Sequence, residues 1–166
     1  AGQICVSPDY VLVHESIHDA LVEKLKEKIT EFFGDNPKDS NAYSKIVNDR
    51  HLGRLTNMLG SGEIVAGGNY DENDNYLAPT LMINVPEDSP VMEDEIFGPI
   101  LPIFKYSHLD DAIAKVNGRE KPLALYVFTE NKAVADKVVE ETSSGAAVVN
   151  ALMLHASNHN FPFGGV

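Results

Sequence analysis

Cys5 is the only cysteine in the 166-residue chain. It follows Gly2-Gln3-Ile4 and precedes Val6-Ser7-Pro8, so a glycine-containing turn sets it just outside a strand-like run that begins at Tyr10. A thiol placed there can meet a substrate, and the thiolate is an intrinsically strong nucleophile. A lone cysteine is also, in general, a small buried hydrophobe. It becomes a candidate nucleophile only when partners can be named. Glu95 is one carboxylate of the acidic stretch Glu93-Asp94-Glu95, followed by Ile96-Phe97-Gly98-Pro99. In an extended segment Phe97 would face the same side as Glu95. Asn150 follows the β-branched run Val148-Val149, which puts it at the C-terminal end of a strand, where ligands of open α/β sheets collect. His155 and His159 have a spacing that could ligate a metal on a helix. No cysteine or strong carboxylate partner stands near them in sequence, so no zinc site is expected. Asp71, Asn73 and Asn75 lack the glycine and distal glutamate of a calcium loop, so no metal is expected there either.

Four stretches, taken together, resemble one family. Gly2-Gln3-Ile4-Cys5 is similar to the Gly-Gln-x-Cys segment that carries the catalytic thiol of aldehyde dehydrogenases. Glu93-Asp94-Glu95-Ile96-Phe97-Gly98-Pro99, Lys121-Pro122-Leu123-Ala124-Leu125-Tyr126 and Asn160-Phe161-Pro162-Phe163-Gly164-Gly165 follow in the family's order. The resemblance covers essentially the whole chain. It is nearest to the class 3 and fatty-aldehyde branch, through Val47-Asn48-Asp49-Arg50-His51-Leu52-Gly53-Arg54.

The resemblance implies oxidation of an aldehyde to a carboxylic acid through a thiohemiacetal and a thioester on Cys5, with NAD or NADP as cofactor. The Cys5 backbone N–H and a side-chain amide would hold the oxyanion. Glu95 would accept from the nicotinamide ribose hydroxyls, since a carboxylate can take two vicinal O–H groups in charge-assisted bonds. Phe97 would pack on the nicotinamide side of the cofactor. Asn150 would support the active-site loops, and Phe163 would form an aromatic wall of the aldehyde tunnel. For each residue a plainer role stays open: surface carboxylate for Glu95, core ring for Phe97 and Phe163, turn residue for Asn150. The resemblance further implies that residues 1–166 are the thiol-bearing catalytic domain of a longer enzyme. The general-base glutamate, the cofactor-binding domain and the C-terminal oligomerisation segment are then expected outside this sequence. The partners would be an aldehyde, that cofactor domain of the same full-length chain, and a second copy in a homodimer. The piece alone is expected to be inactive. Two alternatives keep the sequence in view: an acylating relative that passes the acyl group to coenzyme A, and a non-catalytic protein-interaction module.

Composition narrows the field. A chain of 166 residues is read as one domain with a sizeable core. The formal charge of -12 argues against nucleic acid, whose phosphates need Lys and Arg. A single cysteine excludes an internal disulfide framework and fits a reducing, cytoplasmic setting. No apolar run reaches the roughly 18 residues of a membrane span.

The elements that must position these residues alternate. Tyr10–His14 reads as a buried strand. Ile17, Leu21, Leu25, Ile29 and Phe32 or Phe33 recur at helical spacing, with Ser16 as cap and Gly34 as stop. Asn48 opens a second helix toward Gly60, with Leu52, Leu55, Met58 and Leu59 on one face. Strands are expected at 63–68, 79–85 and 100–106, the last an edge or strand start because of Pro102. Residues 69–75 read as a loop or hairpin tip. A helix at 109–116, a buried strand at 123–128, a helix from Asn131 through Val139 and a strand at 146–150 complete the chain. The expected fold is α/β: a doubly wound, mostly parallel sheet with helices on both faces.

Overall fold

The computed structural model describes residues 1–158, 160, 163, 165 and 166. His159 of the histidine pair, and Phe161, Pro162 and Gly164 of the final phrase, lie outside the described residues. The described chain forms two compact units, Ala1–Tyr106 and Ser107–Val166.

The first unit is built on a four-stranded sheet. Its strands are β1 (Val11–His14), β2 (Glu63–Ala66), β5 (Thr80–Ile83) and β6 (Ile100–Tyr106), in the order β1-β6-β5-β2. β6 runs parallel to both β1 and β5, and β2 is antiparallel to β5. Side-chain alternation splits the core into two layers. Val13, Leu81 and Ile103 point to one face, where helix α1 (His18–Phe33) lays Leu21, Leu25 and Ile29. Met82, Ile100 and Phe104 point to the other, where α2 (Asp49–Met58) buries Leu52, Leu55 and Met58. Helices therefore cover both faces, as the strand–helix alternation requires.

The caps show which local signals decide element ends. The Asn48 side chain accepts from the His51 amide at 3.0 Å and opens α2. Gly34, at φ 79°, closes α1 in the left-handed region that an L-residue avoids. Ser16 does not cap α1. It sits in the 3-10 turn Glu15–Ile17, and the cap there is His14, whose Nδ1 accepts from the Ser16 amide at 3.2 Å. The 69–75 segment is a hairpin: β3 (Tyr70–Asp71) and β4 (Tyr76–Leu77) pair antiparallel around a 3-10 turn, with Asn75 left-handed at φ 48°.

Pro102 lies in a central strand, not at an edge. Pairing with β5 covers Ile100 to Pro102, whereas pairing with β1 starts only at Ile103. At Pro102 the strand has a partner on one flank only, so a missing N–H on the other flank costs no ladder bond.

The second unit pairs β7 (Ala124–Val127) and β8 (Ala146–Val149) in parallel. Among the described residues three helices accompany them: α3 (Leu109–Asn117), α4 (Lys132–Glu141) and the short α5 (Leu154–Ser157). Asp110 and Asp111 occupy the first turn of α3, where carboxylates complement the helix dipole. The Asn131 side chain accepts from the Ala133 amide and caps α4, with Ala135 buried. β7 is less buried than its apolar sequence suggests. Val127 alone is fully covered and Phe128 is 63 % exposed, because β7 has a single strand partner among the described residues.

Candidate active site

The Cys5 turn and the Glu95 segment approach their strands from the same end. Cys5 lies six residues before β1, Glu95 five before β6, and these strands are parallel neighbours. Both segments thus sit at the N-terminal ends of the strands. The rule that ligands gather at C-terminal ends, which draws attention to Asn150, does not find them.

The Gly-Gln-x-Cys phrase divides its work by residue. Gly2 has φ 71°, and a Cβ there would lie 2.2 Å from the Gly98 carbonyl oxygen. Only glycine permits this backbone-to-backbone contact, which joins the thiol turn to the segment that carries Glu95 and Phe97. The Gln3 carboxamide spans another segment: Nε2 donates to Lys45 O at 2.9 Å, and Oε1 accepts from the Val47 amide at 3.0 Å. The Ser7 amide closes the turn on Ile4 O at 2.9 Å. Val6 is buried while Ile4 and Cys5 are exposed. The cysteine is therefore not the buried apolar residue that composition alone favours. No hydrogen bond reaches its thiol among the described residues.

The Glu95–Pro99 segment has no regular structure and is held from three sides. The Ile96 amide donates to Asp9 Oδ1 at 2.9 Å. Arg54, from the last turn and a half of α2, donates to Glu95 O at 3.3 Å and to Ile96 O. Ile96 is buried, and Gly98 lies so close to fully buried Leu55 that a Cβ would meet its side chain at 2.5 Å. These anchors leave the Glu95 side chain and the Phe97 ring facing outward, the latter 40 % exposed. The expected extended path does not hold at Phe97, whose φ is 48°. The backbone turns there, so strict alternation does not set the ring's direction relative to Glu95. Partial desolvation raises the Glu95 carboxyl above its ordinary value, and the charge of Asp9 adds to this against the opposing pull of Arg54.

In the second unit Asn150 directly follows β8, at φ 54°. Its carboxamide makes both bonds to one residue, accepting from the Thr129 amide and donating to Thr129 O, each at 2.9 Å. Its own amide bonds Val127 O at 2.8 Å. Asn150 thus ties the end of β8 to the loop that leads into α4, and no polar atom of its carboxamide is left idle. The Phe163 ring is 55 % exposed and stacks on His155 at 6.2 Å between centroids, while His155 also meets Tyr126. Among the described residues no three His, Cys, Asp or Glu side chains converge as a metal site.

The thiol turn and the acidic-aromatic segment thus meet at Gly2 and Gly98. The whole chain, residues 1–166, matches the aldehyde dehydrogenase family. The chain belongs to that family. It is 46 % identical over 166 residues to the mouse aldehyde dehydrogenase called dimeric NADP-preferring, covering all of this chain and 37 % of that protein. It is 46 % identical over 165 residues to mouse aldehyde dehydrogenase family 3 member A2, covering 99 % of this chain and 34 % of that protein. Among solved structures, the substrate-bound aldehyde dehydrogenase of Staphylococcus aureus aligns over all of this chain and 37 % of its own, at 47 % identity and a TM-score of 0.97. The likeness to the class 3 branch read from residues 47–54 agrees with these relatives. The chain spans about a third of the length of the curated aldehyde dehydrogenases it matches.

Cys5, Glu95, Phe97, Asn150 and Phe163 stand out in the sequence, whereas the side-chain and backbone contacts of Gly2, Gln3, Asp9, Arg54 and Gly98 do not. Four of these five stand inside the quoted phrases. Their signal is the positive φ or close approach that only glycine allows, and the polar side chain that has no local backbone partner.

Proposed function

We propose that this chain is the thiol-bearing catalytic part of an NAD(P)-dependent aldehyde dehydrogenase that oxidises aldehydes to carboxylic acids. The observation that carries the reading is the exposed Cys5 on a turn fused, at Gly2, to the Gly98 end of the Glu95 segment. The names of the relatives support NADP or NAD as cofactor and a homodimer as the working form.

In this reading the Cys5 thiolate adds to the aldehyde carbonyl carbon and the carbonyl oxygen becomes an oxyanion. The Cys5 backbone N–H is available to stabilise it. A bound NAD(P)+ would supply the hydride acceptor, and the adduct that has given up its hydride is a thioester on Cys5 Sγ. Water then cleaves the thioester to the acid and the free thiol. Splitting one hard step into two easier ones is what covalent catalysis offers. The residues present fit a nicotinamide ribose. The Glu95 carboxylate is exposed, makes no hydrogen bond among the described residues, and sits on a backbone fixed by Arg54 and Asp9. Phe97 presents an exposed ring from the next position but one. Asn150 acts as loop support, in keeping with its two bonds to Thr129, and Phe163 lines the aldehyde path.

All 166 residues serve one catalytic domain that works with a cofactor domain of the same polypeptide in a reducing, cytoplasmic setting. Cys5→Ser in the complete enzyme tests the reading. A hydroxyl without a dedicated base is a far weaker nucleophile at neutral pH. NAD(P)H formation from short and long aldehydes should vanish, and a near-wild-type kcat would overturn the assignment.

A further inference from the structure

The geometry points to Gln3 as a positioning residue for the Cys5 nucleophile, acting through the segment Lys45–Val47; this inference rests on the thiol chemistry proposed above. Both polar atoms of the carboxamide are engaged. Its donor goes to Lys45 O and its acceptor to the Val47 amide, across more than 40 residues of sequence. The segment it grips is a firm support. Ile46, between the two bonded residues, is buried in the core cluster of α2 and the sheet, and its amide bonds Asn75 O at 2.8 Å.

The tip of the β3–β4 hairpin braces the same segment. Lys45 pairs with Asp74, and just beyond the segment, at the start of α2, Asn75 Nδ2 donates to Asp49 Oδ1 at 2.9 Å. Gln3 therefore couples the exposed thiol turn to a segment anchored by core burial and by a hairpin. Gly2 also lies against Gly98, a contact that is van der Waals in kind and sets no direction. The two polar bonds of Gln3, two residues before Cys5, fix the orientation of the turn.

Neither bond of Gln3 reaches the Glu95 segment. That segment has its own anchors in Asp9, Arg54 and the Gly98–Leu55 contact. Loss of the Gln3 bonds should therefore disturb thiol addition and spare cofactor binding, and this separation is the testable content. Gln3→Met removes both bonds at similar length. Gln3→Glu keeps an acceptor for the Val47 amide but turns a carboxylate oxygen on the Lys45 carbonyl.

The experiment uses the complete enzyme. The acylation burst with 4-nitrophenyl acetate reads Cys5 addition without cofactor, NAD(P)+ affinity is read by fluorescence titration, and folding by the melting temperature. Misplacing a reacting group by about 1 Å can cost roughly 100-fold. Acylation should fall about 10- to 100-fold in Gln3→Met, with cofactor affinity within twofold of wild type, and Gln3→Glu should lie between. Wild-type acylation in both variants would overturn the inference. Equal losses of acylation and cofactor affinity with an earlier melt would overturn it as well, since they show a plain structural role. Cys5→Ser separates this from the underlying reading. If that variant still acylates and oxidises aldehyde, the thiol assignment itself is wrong. If it is dead while the Gln3 variants behave as wild type, only the role of Gln3 fails.

Discussion

Replacing Glu95 with Gln should weaken cofactor binding in the complete enzyme without destabilising it. Residue 95 is held through its backbone. Its carbonyl accepts from Arg54, and the next amide donates to Asp9, so the backbone path does not depend on the side chain. The carboxylate itself is exposed and makes no hydrogen bond among the described residues. Its pKa is raised above the ordinary value by partial desolvation and by Asp9. A raised carboxyl pKa means that the folded state binds this proton more tightly than the unfolded state does. The favourable contribution is then present below the unfolded value, about 4.3, and is lost as pH rises through the folded pKa. At neutral pH the ionised Glu95 is a small burden on the fold, and Gln removes it. The melting temperature at pH 7 should stay level or rise slightly, and the difference should close near pH 4. If the carboxylate accepts from a ribose diol, its loss should cost about 1.5–3 kcal/mol, which is roughly 10- to 150-fold in affinity. The assays are NAD(P)+ titration by fluorescence and thermal melts at pH 4 and pH 7. An early melt at pH 7 together with unchanged cofactor affinity would refute the reasoning and make Glu95 a structural residue.

Gly2→Ala should slow aldehyde oxidation at least tenfold in the complete enzyme. The added Cβ would lie 2.2 Å from Gly98 O at a φ of 71°, so the thiol turn and the Glu95 segment must part, at about 1–2 kcal/mol for the backbone alone. A steady-state rate equal to wild type would show that their contact is dispensable. Tyr43→Phe should flatten the alkaline loss of stability. Burial pushes the Tyr43 phenol well up, first by desolvation and then through Tyr76, while its hydroxyl donates to Leu77 O at 2.7 Å. Stability that is full below the unfolded value of about 10 is therefore lost above it, by up to about 1.4 kcal/mol per pH unit. Urea melts between pH 9 and pH 11 on wild type and variant read this slope, and equal slopes would count against the burial argument.

Much of the fold is legible in the sequence because it is fixed by short-range signals. Asn48 and Asn131 cap the helices they precede, Gly34 ends α1, and apolar residues at helical spacing put Leu52, Leu55 and Met58 on the buried face of α2. Expectations failed where a tertiary partner outranked the local signal. Ser16 does not cap α1 because it lies inside a 3-10 turn, which His14 caps by accepting from the Ser16 amide while the chain is still leaving β1. Pro102 sits in a central strand because β1 starts one residue too late to need its amide. Phe128 stays exposed because an apolar run shows the capacity to be covered, not the cover itself.

The site divides along the same line. Cys5 and Glu95 are visible as letters of known phrases, but what fixes them in space is long in sequence. Gln3 reaches Lys45 and Val47, Arg54 reaches Glu95 and Ile96, and Asp9 reaches Ile96. No periodicity in a window of 10–20 residues can contain such pairs. Under the proposed function the two sets of anchors would serve different chemical tasks. The bonds of Gln3 would hold the group that attacks and Asp9 and Arg54 the segment offered to the cofactor, and Gly2 and Gly98 bring both together where neither can carry a side chain. Any substitution in this part of the chain should therefore be read through two observables, the rate at which Cys5 is acylated and the affinity for NAD(P)+. A change that moves both equally acts on the shared Gly2–Gly98 contact or on the support from α2, and a change that moves only one acts on the anchors of that half.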